Sequence, residues 1–482
     1  MRLPVLLAAL SALALACTGA ARRGDTVILA SGADLQSPNP LLTVHPLARQ
    51  VQRYALLVTL VRYDSTLTPT PYLARSWTWS PDRRGLTLRI FRGLRWQDGA
   101  ATTAADAAWT LNAARDPATG YPRRADLAGL TSVTAPDDST LTLRFARPLT
   151  GLVIPDVLTD LAILPRHLFG DVPLAGLRSA AWNRSPVGNG PFRFVAHQPN
   201  RRWVFEGNPE FPEALGGPPK LRRFVVAVVD EPTTKLAALT SRELDFAGIN
   251  PAHAEFVRRD PELQVLDYPV LFSYVLVFNT RRPPFDRLEA RTAVAAAIDR
   301  QAVVDGVLFG YGTPASSPIP PELHDIGPAP MPRRPSDRPT ARPPDRLRFE
   351  LLTVGSGEAA LEQMLQAQLA RVGIQAGIRQ LELSTFLDRV QGPGSDFDAA
   401  VLGLAGDLEL GHLPQLVRLA GLRPEGGSER LVRLIEDSVP ATFLYHARGV
   451  QGMNRRVQGV QMDLRGELVT LSRWWVRGAG GP

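Results

Sequence analysis

Residues Tyr274–Pro321, YVLVFNTRRPPFDRLEARTAVAAAIDRQAVVDGVLFGYGTPASSPIPP, decide how the fold is read. Val275, Leu276, Val277 and Phe278 form an apolar run too short for a helix and rich in β-branched residues, which predicts a buried strand ended by Asn279. Pro283 and Pro284 fix φ and bar helix until Phe285, and Asp286 stands where an N-cap carboxylate would accept orphan N–H groups. From Arg287 onward, Ala293, Val294, Ala297 and Ile298 recur at helical spacing and predict one apolar helix face. The pattern resumes at Val303, Val304, Val307 and Leu308, and Gly310 and Gly312 stop it. Strand, rigid turn, small-residue helix and glycine stop make a packing unit without visible chemistry.

This stretch resembles one found in the family 5 solute-binding proteins, the peptide-, dipeptide- and nickel-binding components of ABC importers. The residues that carry the resemblance are Phe278, Asn279, Thr280, Pro283, Pro284, Phe285, Asp286, Arg291, Ala293, Ala297, Ile298, Asp299 and Arg300. A second match runs from Leu73-Ala74-Arg75-Ser76-Trp77 through the alternating Leu86-Thr87-Leu88-Arg89-Ile90 strand to Trp96, Asp98-Gly99 and a helix capped at Thr103, with Asp106 in its first turn. A third is Pro186-Val187-Gly188-Asn189-Gly190-Pro191-Phe192, with Asn189 where the family carries threonine. No helix start follows those glycines, so a nucleotide loop is excluded. Further matches are Leu164-Pro165-Arg166-His167, Asn208-Pro209-Glu210-Phe211, and a helix after Asp230-Glu231-Pro232-Thr233 in which Arg242 fills a glycine position.

Length and composition are those of an ordinary soluble protein. The chain has 482 residues, 44% hydrophobic and 21% charged, long enough for two or three domains. Its net charge of +7 comes almost wholly from arginine, lysine occurring only at Lys220 and Lys235. The arginines are scattered among 47 acids rather than gathered into a stripe, so nucleic acid is excluded as the partner. Met1 and Arg2 precede an apolar run from Leu3 to Ala16, too short to span a bilayer, which needs about 20 residues. It reads as a signal peptide over residues 1–17, and Leu13-Ala14-Leu15-Ala16-Cys17 resembles a lipobox with Cys17 as the lipidated residue. Cys17 is the single cysteine, so intramolecular disulfides and cysteine metal sites are excluded.

Towards the C-terminus, Val133 to Phe145 reads as a hairpin, and Pro314 to Pro344, with eleven prolines, as an extended surface loop too poor in apolar residues to pack much. The strand Leu347–Thr353, the apolar helix face of Leu361, Met364, Leu365, Leu369 and Val372, and the strand Ile374–Ile378 make a βαβ pattern and hence a parallel sheet. The resemblance then implies an α/β, periplasmic binding protein-like fold with two lobes, an extra domain and a hinge with two crossings. Lobe I takes residues 24–60, 173–268 and 446–482, the extra domain 61–172, and lobe II 269–445, including the Pro-rich loop 314–344.

Function follows from the same resemblance. The chain is expected to be the extracytoplasmic receptor of an ABC importer, capturing peptides between the lobes and delivering them to membrane permease subunits. It is expected to be monomeric, lipid-anchored and without cofactor. Peptide-binding members place an ammonium-pairing carboxylate at the position of Asp407, with main-chain contacts at Gly403 and Ala405 and, on the other lobe, at Thr43, Val44 and His45. Leu404 stands where those members carry tryptophan, and a long insertion that follows there is absent here. Those two departures motivate an alternative, a receptor turned sensor or scaffold; His45 and His412 motivate another, a nickel or metallophore receptor. No GxSxG or HExxH motif is present, and Cys17 is not available as a nucleophile, so an enzyme is not expected.

Overall fold

The computed structural model describes residues 24–43, 45–149, 155–324, 347–355, 359–392, 394–406, 410–425 and 427–478. The expected leader with Cys17, most of the Pro-rich loop, Val44 and Asp407 lie outside them.

Strand β1 (Thr26–Ser31) leads through a loop to helix α1 (Pro46–Val51), which widens and runs on to Leu56. There follow β2 (Ala74–Trp79), β3 (Gly85–Ile90), α2 (Ala104–Arg115) and the hairpin β4 (Leu130–Asp137) and β5 (Thr140–Phe145). The chain continues through β6 (Phe192–Gln198), β7 (Arg202–Gly207), β8 (Arg223–Val228), α3 (Pro232–Thr240), β9 (Phe246–Gly248) and the long β10 (Leu263–Phe278). Next come α4 (Leu288–Ala297), α5 (Arg300–Leu308), β11 (Gly312–Pro314), β12 (Arg348–Val354) and α6 (Ala360–Arg371). The last elements used here are β13 (Gln375–Leu381), α7 (Leu383–Gln391), β14 (Ala399–Ala405), α8 (His412–Leu419), α9 (Ser428–Ser438) and β15 (Ala441–Asn454).

One sheet of eleven strands, ordered β13-β12-β14-β10-β15-β9-β1-β8-β7-β6 with β11 on β15, runs through both lobes. Strands β10 and β15 pair antiparallel from Leu263↔Asn454 to Val277↔Ala441 and carry the two crossings of the hinge. Their ladder is broken between Pro269 and Ser273, and again between Tyr274 and Val275. Pro269 has no N–H to give the ladder, and residues Val270–Phe272 bulge opposite Ala447. A bulge bends and twists a strand pair, so the sheet changes direction here and its two halves become separate lobes. A second, antiparallel sheet, β2-β3-β5-β4, forms the extra domain, packing Leu86, Leu88, Leu141 and Leu143 against Ala107 and Leu111 of α2. In that domain Asp106 accepts the N–H of Thr103 at 2.8 Å and that of Arg166 at 2.8 Å, so the expected cap also ties α2 to a later segment.

The deciding stretch folds differently in detail from its sequence reading. Its strand is the end of β10, which begins twelve residues before Val275, at Leu263. The helix starts at Leu288 with Arg287 as an N-cap that makes no side-chain cap bond, so Asp286 is not the cap. It then breaks at Ile298, where ψ is 113°, and Asp299 caps a second helix by accepting the Ala302 N–H at 3.0 Å. An aspartate favours an N-cap over a helix interior because its carboxylate satisfies orphan N–H groups, and this decides where the break falls. Helix α5 ends on Phe309, which takes the left-handed φ of +52° one residue before the expected glycine stop. The Pro-rich loop also departs from expectation: among its described residues Ala315 and Ile319 are buried in the lobe II core.

Arg291 anchors this unit. It is 6% exposed and donates from Nε to the Ser438 and Val439 carbonyls at 3.0 and 3.1 Å, from Nη1 to Phe285 O at 2.6 Å and from Nη2 to Ser438 O at 2.7 Å. Ser438 closes α9, so one guanidinium satisfies carbonyls that the helix end leaves orphaned and places a positive charge at the negative end of its dipole. A second charged knot joins lobe I to the extra domain. Arg49, Arg53 at 2.6 Å and Arg123 at 2.8 Å converge on Asp160. Burial alone would raise the Asp160 pKa, but the Arg53, Arg49 and Arg123 guanidiniums outweigh it and hold it at about 2.

Two outcomes are expected. Arg291→Lys keeps the charge but replaces a rigid five-donor fork with one point donor, leaving buried carbonyls unpaired, and should lower unfolding free energy in urea by about 2–4 kcal/mol. An unchanged midpoint would contradict this role. Because the Asp160 pKa lies below its unfolded value of about 3.9, its stabilisation is present above pH 4 and is lost as pH falls towards 2. Asp160→Asn should therefore melt lower than wild type at pH 7 and lose less stability than wild type between pH 4 and pH 2.

Candidate functional site

Strand direction locates a crevice. Strands β1, β8 and β9 are parallel to one another, and β9 and β10 both run antiparallel to β15, so all four run towards the hinge in lobe I. Past the hinge β10 runs away from it, β14 runs antiparallel to β10, and β12 and β13 are parallel to β14. The carboxyl ends of both sets of parallel strands therefore converge on the hinge. In lobe II the chain leaves β12 through α6 to β13 on one side and returns through α7 to β14 on the other. Helices α6 and α7 pack on opposite faces, α6 with Leu276 and Phe278 and α7 with Val275 and Val277. This makes the gap between the ends of β12 and β14 a topological switch point, where ligands bind in open α/β sheets.

The gap is open because β12 pairs with β14 only through Leu351↔Ala399 and Leu352↔Ala400. Beyond Ala400, residues Val401–Ala405 remain paired with β10 on one edge, while no described strand pairs with their other edge. Gly403 and Ala405 are exposed on the α6 side, whereas Leu404 is buried on the α7 side. Leu404 thus fills core. Gly403 is required by packing: a Cβ there would lie 2.4 Å from the Phe272 ring. Phe272 meets Tyr274 edge-on at 5.5 Å, and Tyr274 stacks on Tyr445 at 4.8 Å, giving the crevice an aromatic wall from both hinge strands.

On lobe I the loop after β1 is tied down at Asp34, whose carboxylate accepts Trp203 Nε1–H at 2.6 Å and the Asn200 N–H at 2.7 Å and contacts His197 Nε2 at 3.1 Å. Burial raises the Asp34 pKa less than these hydrogen bonds lower it, so the net shift is downward. Thr43 is buried, donating its hydroxyl to Gln36 at 2.9 Å and accepting the His45 N–H at 3.0 Å, while its own main-chain N–H and C=O bond to no described residue. His45 caps α1: its Nδ1 accepts the Ala48 N–H at 3.3 Å, which requires an unprotonated Nδ1. Burial lowers the His45 pKa, opposed by Asp34.

The sequence-derived site residues thus fall into two groups, Gly403 and Ala405 at the carboxyl end of β14 in lobe II and Thr43 and His45 in the loop from β1 to α1 in lobe I. Asp407 and Val44 lie outside the described residues. Among other residues singled out, Trp96 is buried in the extra-domain core, His167 Nε2 lies 2.7 Å from Asp98, and His412 is buried beside Gly406. Asn189 accepts the Val58 N–H at 3.1 Å, and a Cβ on Gly188 or Gly190 would collide with the Leu56 or Ala55 carbonyl, so this Gly-Asn-Gly segment clamps chain to chain. Among the described residues no three His, Cys, Asp or Glu side chains gather to hold a metal. Sequence reasoning missed Phe272 and Tyr274 as crevice residues; their alternation in the Phe272-Ser273-Tyr274 segment was the available signal.

Fold and crevice together define a two-lobed binding protein. The profile of the bacterial extracellular solute-binding proteins, family 5 Middle, matches residues 68–412, and the chain belongs to this family. Relatives in Brucella ovis and Brucella abortus, each named as an ABC transporter peptide-binding protein, are 29% identical over 259 residues, 53% of this chain and 48% of theirs. The chain thus spans about half the length of these relatives. The Bacillus subtilis oligopeptide-binding protein AppA is 23% identical over 441 residues, 81% of this chain and 80% of that protein. Its structure with a nonapeptide superimposes with a TM-score of 0.74 at 21% identity, covering 94% of this chain and 99% of that one. The Listeria monocytogenes substrate-binding protein CtaP gives a TM-score of 0.81 at 18% identity, covering 94% and 100%. No helix among the described residues is long and apolar enough to cross a membrane.

The contact between Gly403 and Phe272 gives a testable outcome. Gly403→Ala should cost about 1–3 kcal/mol by overpacking. In a Phe272→Ala background the same change should cost under about half as much; equal costs in both backgrounds would remove Phe272 as the cause.

Proposed function

We propose that the chain is the receptor of an ABC importer that captures peptides between its lobes and hands them to membrane permease subunits. The observation that carries this reading is the edge of Val401–Ala405 at the switch point that no described strand pairs, with the main chain of Thr43, which bonds to no described residue, on the opposing lobe. An extended peptide added to that edge gains main-chain hydrogen bonds whatever its side chains. Relatives named for peptide binding support this ligand class over nickel, which no observation favours. Asp407 is proposed as the partner of the peptide ammonium, Gly403 and Ala405 as main-chain contacts, and Thr43, Val44 and His45 as the facing contacts.

The same reading has the protein act outside the cytoplasm, without catalysis, as a monomer anchored by a lipid on Cys17. It takes residues 61–172 as the extra domain, 24–60, 173–268 and 446–482 as lobe I, and 269–445 as lobe II. A core whose buried residues lie mostly within 61–172 supports the first of these limits, although it extends back to Leu41 and Leu56–Val58 and on to Leu177, Trp182 and Leu215.

Calorimetry and thermal melting with mixed peptides of two to five residues test the proposal. A ligand at about a hundred times its Kd adds about 2.7 kcal/mol and raises Tm. Asp407→Asn should weaken binding of free-amine peptides. If no peptide in this range shifts Tm, the reading fails.

A further inference from the structure

At the hinge end of lobe II lies a carboxylate with no counter-ion among the described residues. Glu362, in the first turn of α6, is 8% exposed, and its Oε1 accepts the hydroxyl of Thr353 at 2.6 Å. It forms no ion pair with a described residue, and its Oε2 accepts no hydrogen bond from one. On the same face of lobe II are the stacked rings of Tyr274 and Tyr445, one from each hinge strand, centroids 4.8 Å apart, near enough to Glu362 for its charge to act on both phenols. Burial, and after it for Tyr274 the Glu362 charge, raises the pKa of both phenols; for Tyr445 the neighbouring Tyr274 adds to the rise. Neither hydroxyl hydrogen-bonds to a described residue, although Tyr445 is 4% exposed.

These groups share a face and an end of the fold. Thr353 is the penultimate residue of β12, Glu362 opens the helix that follows, and Tyr274 begins the lobe II half of β10. All three sit at the switch point, on the α6 side where Gly403 and Ala405 are exposed. Half-exposed Tyr274 is the way in from the crevice, and buried Tyr445 and Glu362 are its floor. A buried carboxylate loses its hydration and is stable when a cation or several hydrogen bonds replace it, and here one hydroxyl does so. The free carboxylate oxygen and two phenol oxygens offer three acceptors, the number of N–H donors on an alkylammonium, and the ring faces add cation–π attraction.

We propose that Glu362, Tyr274 and Tyr445 form a subsite for an alkylammonium group of the captured ligand. As a peptide subsite it rests on the peptide-receptor reading, with the ammonium supplied by a lysine side chain or, in place of the role proposed for Asp407, by an N-terminus. A guanidinium is planar and carries five donors, which suits this three-oxygen floor less well.

The test uses the full chain, its Glu362→Gln variant, and Tyr445→Phe, which removes one hydroxyl and keeps the stack. Calorimetry and tyrosine difference absorbance are followed with propylammonium against propanol, and with tri-alanine, N-acetyl-Ala-Lys-Ala and N-acetyl-tri-alanine. Wild type should bind propylammonium over propanol. Glu362→Gln should lose this preference and at least about tenfold in affinity for the peptide whose ammonium occupies the subsite. Loss confined to tri-alanine identifies an N-terminus; loss confined to N-acetyl-Ala-Lys-Ala identifies lysine. N-acetyl-tri-alanine should bind both proteins alike. Equal affinities of wild type and Glu362→Gln for every probe, an equal loss for all three peptides, or no binding of propylammonium or any peptide to wild type would overturn the proposal. Glu362-dependent propylammonium binding without peptide binding would keep the subsite and remove the peptide reading. If Glu362→Gln does not fold, Tyr445→Phe decides by the same comparison.

Discussion

The structure depends on a single pair of strands being both continuous and broken. β10 and β15 supply the central hydrogen bonds of each lobe, so neither half of the sheet has a natural end at the other. The interruption at Pro269–Ser273 leaves those ladders intact on either side while removing regular pairing between them. Bending is thereby concentrated in a few residues, because breaking hydrogen bonds elsewhere in a fully paired sheet would cost more than adjusting a bulge. Strand β11 pairs with Tyr445–Ala447 on the outer edge of β15, so the flexing segment is supported on both sides. Ser273 and His446, 2.8 Å apart between Oγ and Nδ1, hold the two strands together where the main-chain ladder resumes.

Arginine does much of the joining around this hinge. Arg291 closes the end of α9, Arg300 donates to the Phe443 carbonyl at 2.8 Å, and Arg456 grips the buried Asp245 at 2.8 Å while also donating to Thr26 O at 2.7 Å. Burial pushes the Arg300 guanidinium below its ordinary value. Each of these side chains connects segments far apart in sequence, and several do so through carbonyls rather than carboxylates. A planar group with five donors can serve several acceptors at once, which a lysine cannot. Part of the basic charge read from composition is therefore internal joinery, consistent with its lack of a surface stripe.

The elements read most accurately from sequence were those set by local periodicity. The alternation of Leu86, Leu88 and Ile90, the cap at Thr103 and the βαβ unit after Leu347 depend on contacts within a few residues, and all three formed. Asp299 was overlooked as a cap because the apolar spacing of Ala293, Val294 and Val303 continues across it, and periodicity alone does not register a break of one residue. The early half of β10 was missed because Asp267 and Pro269 interrupt its apolar character; its pairing partner, almost two hundred residues later, makes it a strand. Of the candidate site, the exposed positions Gly403 and Ala405 on the open edge were singled out through family resemblance. Phe272, which explains why position 403 is glycine, and Glu362, whose charge acts on Tyr445 across 83 positions, were not, since neither relation leaves a local pattern.

On the proposed reading the crevice combines two kinds of recognition that make different demands on sequence. A strand edge recognises any extended main chain, and requires of Val401–Ala405 that the backbone remain accessible rather than that particular side chains project. That explains how Leu404 can be turned into the core without closing the edge. Charge recognition, by contrast, needs a desolvated partner held in place, which only a packed floor supplies. The aromatic wall joins the two: Phe272 lies over Gly403, and Tyr274, its neighbour on the same strand face, stacks on Tyr445 beside Glu362. Because Tyr274 and Tyr445 belong to the strands that cross between lobes, a ligand touching them contacts the hinge itself. Any preference it has for one arrangement of those rings becomes a preference for one disposition of the lobes.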